Sequence, residues 1–549
     1  MSGAPPLTTQ RRLGPGEPLR AGSASAYRAV ALVPGEPHLV RDDLVGRSDA
    51  GPRSGRALAV LAHVTDLQLA DVQSPTRFEH LNRGFGDPRY RKIIPVQRPQ
   101  EALTAHAVEA TLRTLNRLPG GPLSGAPLEL VVTTGDAIDN GQWNELQAFL
   151  GLFDGGPVRM DSGGPAYEGV QSPSWPDDIF WVPDGRLDGP DLFMSRHGFP
   201  VHPGLLERAL REFPGEGLRL PWLACFGNHE GLNQGVGAVT PELAAALTGD
   251  RKPVRLPDGF DHDRAYEVFI DHPEEFFRAE NRHVTPDPAR RPVSRREFVE
   301  AHFRPEARPV GHGFTETNRR TGTAYYAYDT PAARLVSLDT TCLAGGADGC
   351  LDHAQARWLE DRLVEAHSRY RARSGEEVAT GNEDRLVVLF SHHGLDHLTN
   401  DRAHTGPEGE PALGAADLLA LVHRFPNVVL WLNGHTHTNG VRLHRDRGGS
   451  GGFWEVTTCA VVDWPCQTRV VELVECADGT LAIGCTMLDH DSPLAGGDGG
   501  TVADLAALHR ELAGNVPWSG FDSPMSGTPA DRNVDLRLPA PFPLARLTL

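Results

Sequence analysis

The sequence predicts an α/β fold, and three observations lead there. Short apolar runs bounded by glycine and polar residues recur along the chain and read as buried strands. Stretches with apolar residues at helical intervals separate several of them, an alternation that implies a largely parallel sheet. Five of the runs end in clusters of polar, chemically capable residues, and in such sheets ligands gather at the carboxyl ends of the strands.

In chain order, residues 1–56 are rich in Pro, Gly, Arg and Ser and read as an N-terminal extension with one short strand, Tyr27 to Leu32. Leu58 to Val64 then runs into Thr65-Asp66-Leu67-Gln68, and Leu128 to Thr133 into Gly135-Asp136-Ala137-Ile138-Asp139-Asn140. Leu220 to Phe226 runs into Gly227-Asn228-His229-Glu230, and Leu386 to Phe390 into Ser391-His392-His393-Gly394. Val428 to Leu432 runs into Asn433-Gly434-His435-Thr436-His437. Arg98 to Leu118, Ala354 to His367 and Ala415 to His423 carry the helical spacing. Phe453 to Val462, Gln467 to Val474 and Thr480 to Leu488 are β-rich and predict a second sheet packed on the first. A helix near Val502 to Leu512 and Pro-rich coil complete a tail over 491–549. Insertions at about 151–219 and 231–322 each follow a motif-bearing strand and so are placed to overhang the strand ends. The second contains Arg290, Arg291, Arg295, Arg296, Arg304 and Arg308. No internal repeat occurs.

With 549 residues the chain exceeds what one core needs, so it holds two to four domains or one domain with large insertions. A hydrophobic share of 39% with 23% charged residues makes it globular rather than disordered. The net charge of −19 argues against a general nucleic-acid or anionic-membrane surface, although bound cations can reverse the field locally. Lys92 and Lys252 are the only lysines, so a side-chain fork on an oxyanion is expected to be Arg. The seven cysteines are scattered without a C-x-x-C pair, which fits reduced thiols in a cytoplasmic protein, Cys225 among them as core. Arg11-Arg12 invites an export reading, but Arg20 and Arg28 break the apolar stretch a signal peptide needs.

The five clusters supply Asp66, Asp136, Asn228, His392, His435 and His437, oxygen and imidazole donors without a thiolate. That mixture suits Mn, Fe or Zn better than a structural zinc cage. A carboxylate such as Asp136 can bridge two cations, and two cations roughly 3.5–4 Å apart can hold a hydroxide and clamp the oxygens of an in-line displacement.

The order D-x-Q, G-D-x-x-D, G-N-H-E, H-H, G-H-x-H resembles the calcineurin-like metallophosphoesterase superfamily over roughly residues 57–490. Leu338-Asp339-Thr340 and Gln355 with Trp358-Leu359-Glu360 also look like it. Gln73-Ser74-Pro75 and Phe453-Trp454-Glu455-Val456 resemble a bacterial subfamily without an assigned substrate. The resemblance implies a four-layer α/β/β/α sandwich with large insertions, 57–490 being the catalytic domain. It implies two divalent metal ions, Mn first and Fe or Zn as alternatives. Asp66, Asp136 and His437 would hold the first, with Gln68 where the family has His. Asp136, Asn228, His392 and His435 would hold the second. His229 would stand beside the ester as general acid, oriented by Asp139.

The function expected is hydrolysis of a small or medium phosphate ester, mono- or diester. The alternatives are a metal-binding scaffold that lost catalysis through Gln68, and a nuclease on the same fold. Retention of His229 and Asp139, which hold no metal, argues against the scaffold, and the acidic charge argues against the nuclease. Gln offers a neutral amide oxygen in place of imidazole and shifts the first site toward harder ions such as Mn. Arg77 reads as a surface salt bridge rather than a phosphate ligand, and the arginines at 290–308 as a solvated face. His393, adjacent to His392, points elsewhere.

Overall fold

A computed structural model of the chain describes residues 7–45, 55–237, 240–406, 409–446, 448 and 451–547. Parts of the 1–56 extension, of the 231–322 insertion and of the 491–549 tail lie outside them. The strands of the two large sheets are, in chain order, β1 (Leu39–Arg41), β2 (Gly55–Val64), β3 (Leu130–Thr133) and β4 (Trp222–Leu223). Next come β5 (Tyr326–Asp329), β6 (Ala333–Leu338), β7 (Leu386–Ser391), β8 (Val428–Asn433), β9 (Gly440–Arg445) and β10 (Gly452–Thr457). Last are β11 (Gln467–Cys476), β12 (Leu481–Asp489) and β13 (Val534–Leu538). The helices packed on them are α1 (Thr104–Arg117), α2 (Trp143–Asp154), α3 (His353–Glu365), α4 (Ala415–Val422) and α5 (Val502–Asn515).

One sheet has seven strands in the order β1-β13-β12-β11-β2-β3-β4, the other six in the order β5-β6-β7-β8-β10-β9. The fold is thus mixed α/β, but the five motif-bearing strands do not share one sheet. β2, β3 and β4 run parallel in the first, and β7 and β8 run parallel in the second. Nor do the β-rich runs after His437 form a sheet of their own. β10 joins β8, whereas β11 lies antiparallel to β2 with Arg469 opposite His63, and β12 extends that pairing.

Alternation along β7 shows how the layers meet. Leu386, Val388 and Phe390 enter the core shared with β2, β3 and β11, while Val387 and Leu389 face Leu359 and Leu363 of α3 and Leu418 and Val422 of α4. Helices α1 and α2 join the shared core through residues such as Val108, Leu112, Phe149 and Leu152. The tail, expected to be coil past its helix, instead supplies β13, which fills the slot between β1 and β12. Val534, Leu536 and Leu538 are buried there, an apolar alternation of period two short enough to pass as coil among prolines. The extension is likewise built, with Arg11–Ala21 and Ala26–Pro34 forming an antiparallel hairpin.

Candidate metal centre

The clusters at the ends of β2, β3, β4, β7 and β8 converge on one point between the two sheets. Asp66, Gln68, Asp136, His435 and His437 each sit in the left-handed backbone region, with φ between 44° and 68°. For non-glycine residues this conformation costs about 1 kcal/mol or more each and persists where surrounding structure enforces it. Part of the enforcement is close approach. A Cβ on Gly434 would collide with Thr65 and Asp66, and one on Gly227 with Asp136. Glu230 laces two of the loops together, accepting hydrogen bonds from the N–H groups of Gly227 (2.6 Å), Ala137 (2.7 Å) and Asp136 (3.0 Å). Glu145, in the first turn of α2, braces the next stretch by accepting from Asn140 N and Asp71 N, both at 2.9 Å.

Asp136 is central. Its Oδ1 accepts from His229 N at 2.8 Å, and its Oδ2 lies 3.2 Å from His392 Nε2, 3.4 Å from Gln68 Nε2 and 3.8 Å from His229 Nε2. On one side, His437 Nε2 is 3.4 Å from Asp66 Oδ1 and 3.3 Å from Gln68 Nε2. On the other, His435 Nδ1 is 3.3 Å from His392 Nε2. Asp66, Asp136 and His392 offer donor atoms within 4.8 Å of one another, a spacing that can hold a cation.

Two atoms test whether the residues fit metal. Gln68 Oε1 and Asn228 Oδ1 are buried and have no hydrogen-bond partner. A buried acceptor without a partner costs about 1–3 kcal/mol, and a cation removes that cost. The Gln68 amide turns its nitrogen toward Asp136 and His437; a half-turn exchanges nitrogen and oxygen at no cost in shape. The donor set therefore fits hard or borderline divalent ions.

The outer nitrogens of the imidazoles are committed. His392 Nδ1 bonds to the Thr134 carbonyl at 2.8 Å, and His437 Nδ1 to Asp463 Oδ2 at 2.7 Å. Arg98 in turn holds both Asp463 oxygens, at 3.0 and 3.1 Å. Such partners orient ligand imidazoles and typically govern metal affinity by 10–100-fold, roughly. Burial pushes the pKa of His392 down, but the Asp136 carboxylate outweighs it and raises the value to about 9. Burial of His437 is likewise outweighed by Asp463 and Asp66, again to about 9. Burial would raise Asp463, but Arg98 and His437 hold it well below the usual carboxylate range.

His229 stands at the edge of the cluster. Its Nδ1 lies 2.9 Å from the Asp139 carbonyl and 3.4 Å from the Asp139 carboxylate, so its Nε2 faces Asp136. Burial lowers its pKa, and the Asp136 and Asp139 carboxylates more than reverse this. Arg77 at 2.9 Å and Gln234 at 3.1 Å hold the Asp139 Oδ2, leaving Oδ1 toward His229.

Several sequence expectations are corrected here. Arg77 is neither a surface residue nor aimed at a ligand. It is fully buried and bonds Glu101 through two nitrogens at 2.7 and 2.9 Å while holding Asp139. Arg290, expected on a solvated face, is buried between Asp71 (3.3 Å) and Ser162 (3.0 Å) and pins the second insertion to the body. Its partner Asp71 also accepts from Ser162 and Asn144. Both nitrogens of His393 are engaged, Nδ1 with Thr340 Oγ1 at 2.9 Å and Nε2 with the Ala347 carbonyl at 2.8 Å, while His392, His393 and His435 also offer donor atoms within 4.8 Å of one another. Asp463 was not singled out from the sequence. Its signal is an isolated carboxylate in the apolar run Val461-Val462-Asp463-Trp464.

No family model matches the chain, and no curated protein matches it. Among solved structures, one titled "Structure of PhoD" aligns with 88% of this chain and 87% of its own at 10% identity and a TM-score of 0.31. A likeness at that level carries no argument about function. No helix of the described residues is long and apolar enough to cross a membrane.

Proposed function

We propose that this chain is a hydrolase of phosphate esters that works with two divalent metal ions, Mn most readily, on a small or medium substrate. The observation that carries the reading is the convergence of Asp66, Asp136, His392, His435 and His437, with the buried amide oxygens of Gln68 and Asn228, on the same loops, left without a partner. The catalytic domain is assigned to 57–490, an α/β/β/α sandwich to which the strands at 39–41 and 534–538 add. Asp66, Gln68, Asp136 and His437 would hold one ion, and Asp136, Asn228, His392 and His435 the other. Ions bound there would supply a hydroxide nucleophile at neutral pH and neutralise charge on the phosphate oxygens. With Nδ1–H on the Asp139 carbonyl, His229 carries a second proton on Nε2 only as the imidazolium, the form that the Asp136 and Asp139 carboxylates favour, and that proton would go to the departing ester oxygen. Asp139 and Arg77 hold that ring in place.

The test is metal analysis with turnover on a panel of aryl phosphate mono- and diesters. Metal-depleted protein is expected to be inactive and Mn to restore it. Full turnover after verified metal removal contradicts the reading. Stoichiometric binding of two ions with no turnover on any ester supports the scaffold alternative instead.

Gln68 gives a finer prediction, motivated by its unpartnered amide oxygen and by the approach of its amide nitrogen to Asp136 and His437, which a half-turn exchanges. Gln68→Ala is expected to weaken the first-site ion by about 10–100-fold with the fold intact. Gln68→His should tighten that ion and move the preference toward Zn or Fe. A metal titration of the three proteins decides the matter: if Gln68→Ala binds like wild type, Gln68 lies outside the coordination sphere.

A further inference from the structure

The loop from Thr340 to Cys350 leaves β6 and curls around His393, beside the centre but outside it. Thr340 Oγ1 and the Ala347 carbonyl take the two His393 nitrogens, and the His393 ring lies 4.8 Å from that of His392 and 4.4 Å from that of His435, between centroids. The loop is tethered on both flanks. Gly346 N donates to the Val236 carbonyl at 2.8 Å, and Asn400 Nδ2 donates to the carbonyls of Gly345 (3.1 Å) and Asp348 (2.7 Å). Gly345 and Gly346 turn its tip with φ of 87° and 95°, a conformation that favours glycine.

Cysteines stand at the two ends of this loop. Cys350 N donates to the Thr340 carbonyl at 3.0 Å and Gly345 N to the Cys342 carbonyl at 3.1 Å, which folds the chain back and brings the Cys342 and Cys350 thiols close enough to interact. Cys350 is buried and Cys342 half-buried. The remaining five cysteines are buried with raised pKa values, burial being the largest cause for each. Cys342 departs from them. The Cys350 thiol, working against burial and helped by the backbone of Ala344 and the charge of Arg402, brings it to about 7. A partly accessible thiol with a buried partner at hand is the arrangement of an attacking and a resolving cysteine.

We propose that Cys342 and Cys350 form a reversible intrachain disulfide when the protein meets a low-molecular-weight disulfide, and that this bond staples the loop at the mouth of the centre. In the first step the Cys342 thiolate attacks one sulfur of the small disulfide and releases one small thiolate. In the second, Cys350 gives up its proton and attacks the Cys342 sulfur, releasing the other small thiol. Two protein thiols are thereby oxidised to one S–S bond, and the reagent is reduced to two thiols.

The test uses the full chain and glutathione disulfide, with the protein both metal-loaded and metal-depleted, so that its outcome is independent of the phosphoesterase reading. Wild type should lose the mass of two hydrogens, yield a Cys342–Cys350 cross-linked peptide, and revert with a phosphine reductant. Cys350→Ser should instead stop at a glutathione adduct on Cys342, and Cys342→Ser should leave Cys350 a thiol. Alkylation of Cys342 should show a midpoint near pH 7. At neutral pH it should run about fivefold faster than an unperturbed thiol, the gain in thiolate being partly offset by lower nucleophilicity. Amide exchange over 343–349 should slow on oxidation. A persistent adduct on wild-type Cys342, a cross-link between other cysteines, no reaction while the urea-unfolded chain reacts, or unchanged exchange in the oxidised loop would overturn the proposal.

Discussion

Asp136→Asn is expected to remove bound metal from both positions and to lower turnover by more than about 10³-fold. The substitution keeps the size and leaves an oxygen for His229 N, but it withdraws the charge that Oδ2 presents to His392 on one side and toward Gln68 on the other. Asp136 lies close to the buried carboxylates of Asp66 and Glu230, the latter with its pKa raised to about 7 by burial and then by Asp136. Neutralising Asp136 relieves that repulsion, so the fold is expected to survive. The gain in Tm that Mn gives wild type, a mass-action effect of binding the native state, should disappear. Elemental analysis and a thermal melt with and without Mn check this. Two ions retained at wild-type affinity would show that Asp136 is not shared between them.

His229→Ala has the second large effect, and it separates from the first in kind. Both ions should stay, because His229 Nε2 stands 3.8 Å from Asp136 at the edge of the cluster and its Nδ1 is spent on Asp139. Turnover should fall by about 10²–10⁴-fold, the usual worth of a placed general acid. The loss should shrink for esters whose leaving groups depart without a proton, such as nitrophenyl phosphates, and be largest for alkyl esters. A uniform loss across leaving groups would make His229 a positioning residue, and a loss of metal would make it a ligand.

What the sequence made legible was the part carried by local pattern. The strands ending in Asp66, Asp136, His392 and His435 are continuous apolar runs, buried on both faces, and they appear within a few residues of where the runs lie. The site residues sit at those ends, so finding the strands located the donors as well. Pairing was not legible, because β2 bonds equally well to a parallel neighbour such as β3 and to an antiparallel one such as β11, and nothing in its own residues chooses. Buried charge was not legible either. Arg77, Arg290 and Asp463 look like surface residues until partners from distant segments, Glu101, Asp71 and Arg98, are brought against them. The setting that leaves Gln68 Oε1 buried without a partner is a property of the assembled site and has no trace in sequence.

The strand order of the seven-stranded sheet has a bearing on the making of the protein. A ribosome delivers β2, β3 and β4 early, yet the second neighbour of β2 is β11, and the slot between β1 and β12 stays open until Val534–Leu538 has emerged. Pairings so far apart along the chain are slow to close, and the nascent chain must carry an unpaired, apolar β2 edge through most of translation. On the ligand set proposed above, Asp66, Gln68, Asp136 and Asn228 leave the ribosome long before His392, His435 and His437, so the early donors would all be oxygens. Such a set would take hard cations before the imidazoles arrive to suit softer ones, because selectivity follows ligand softness.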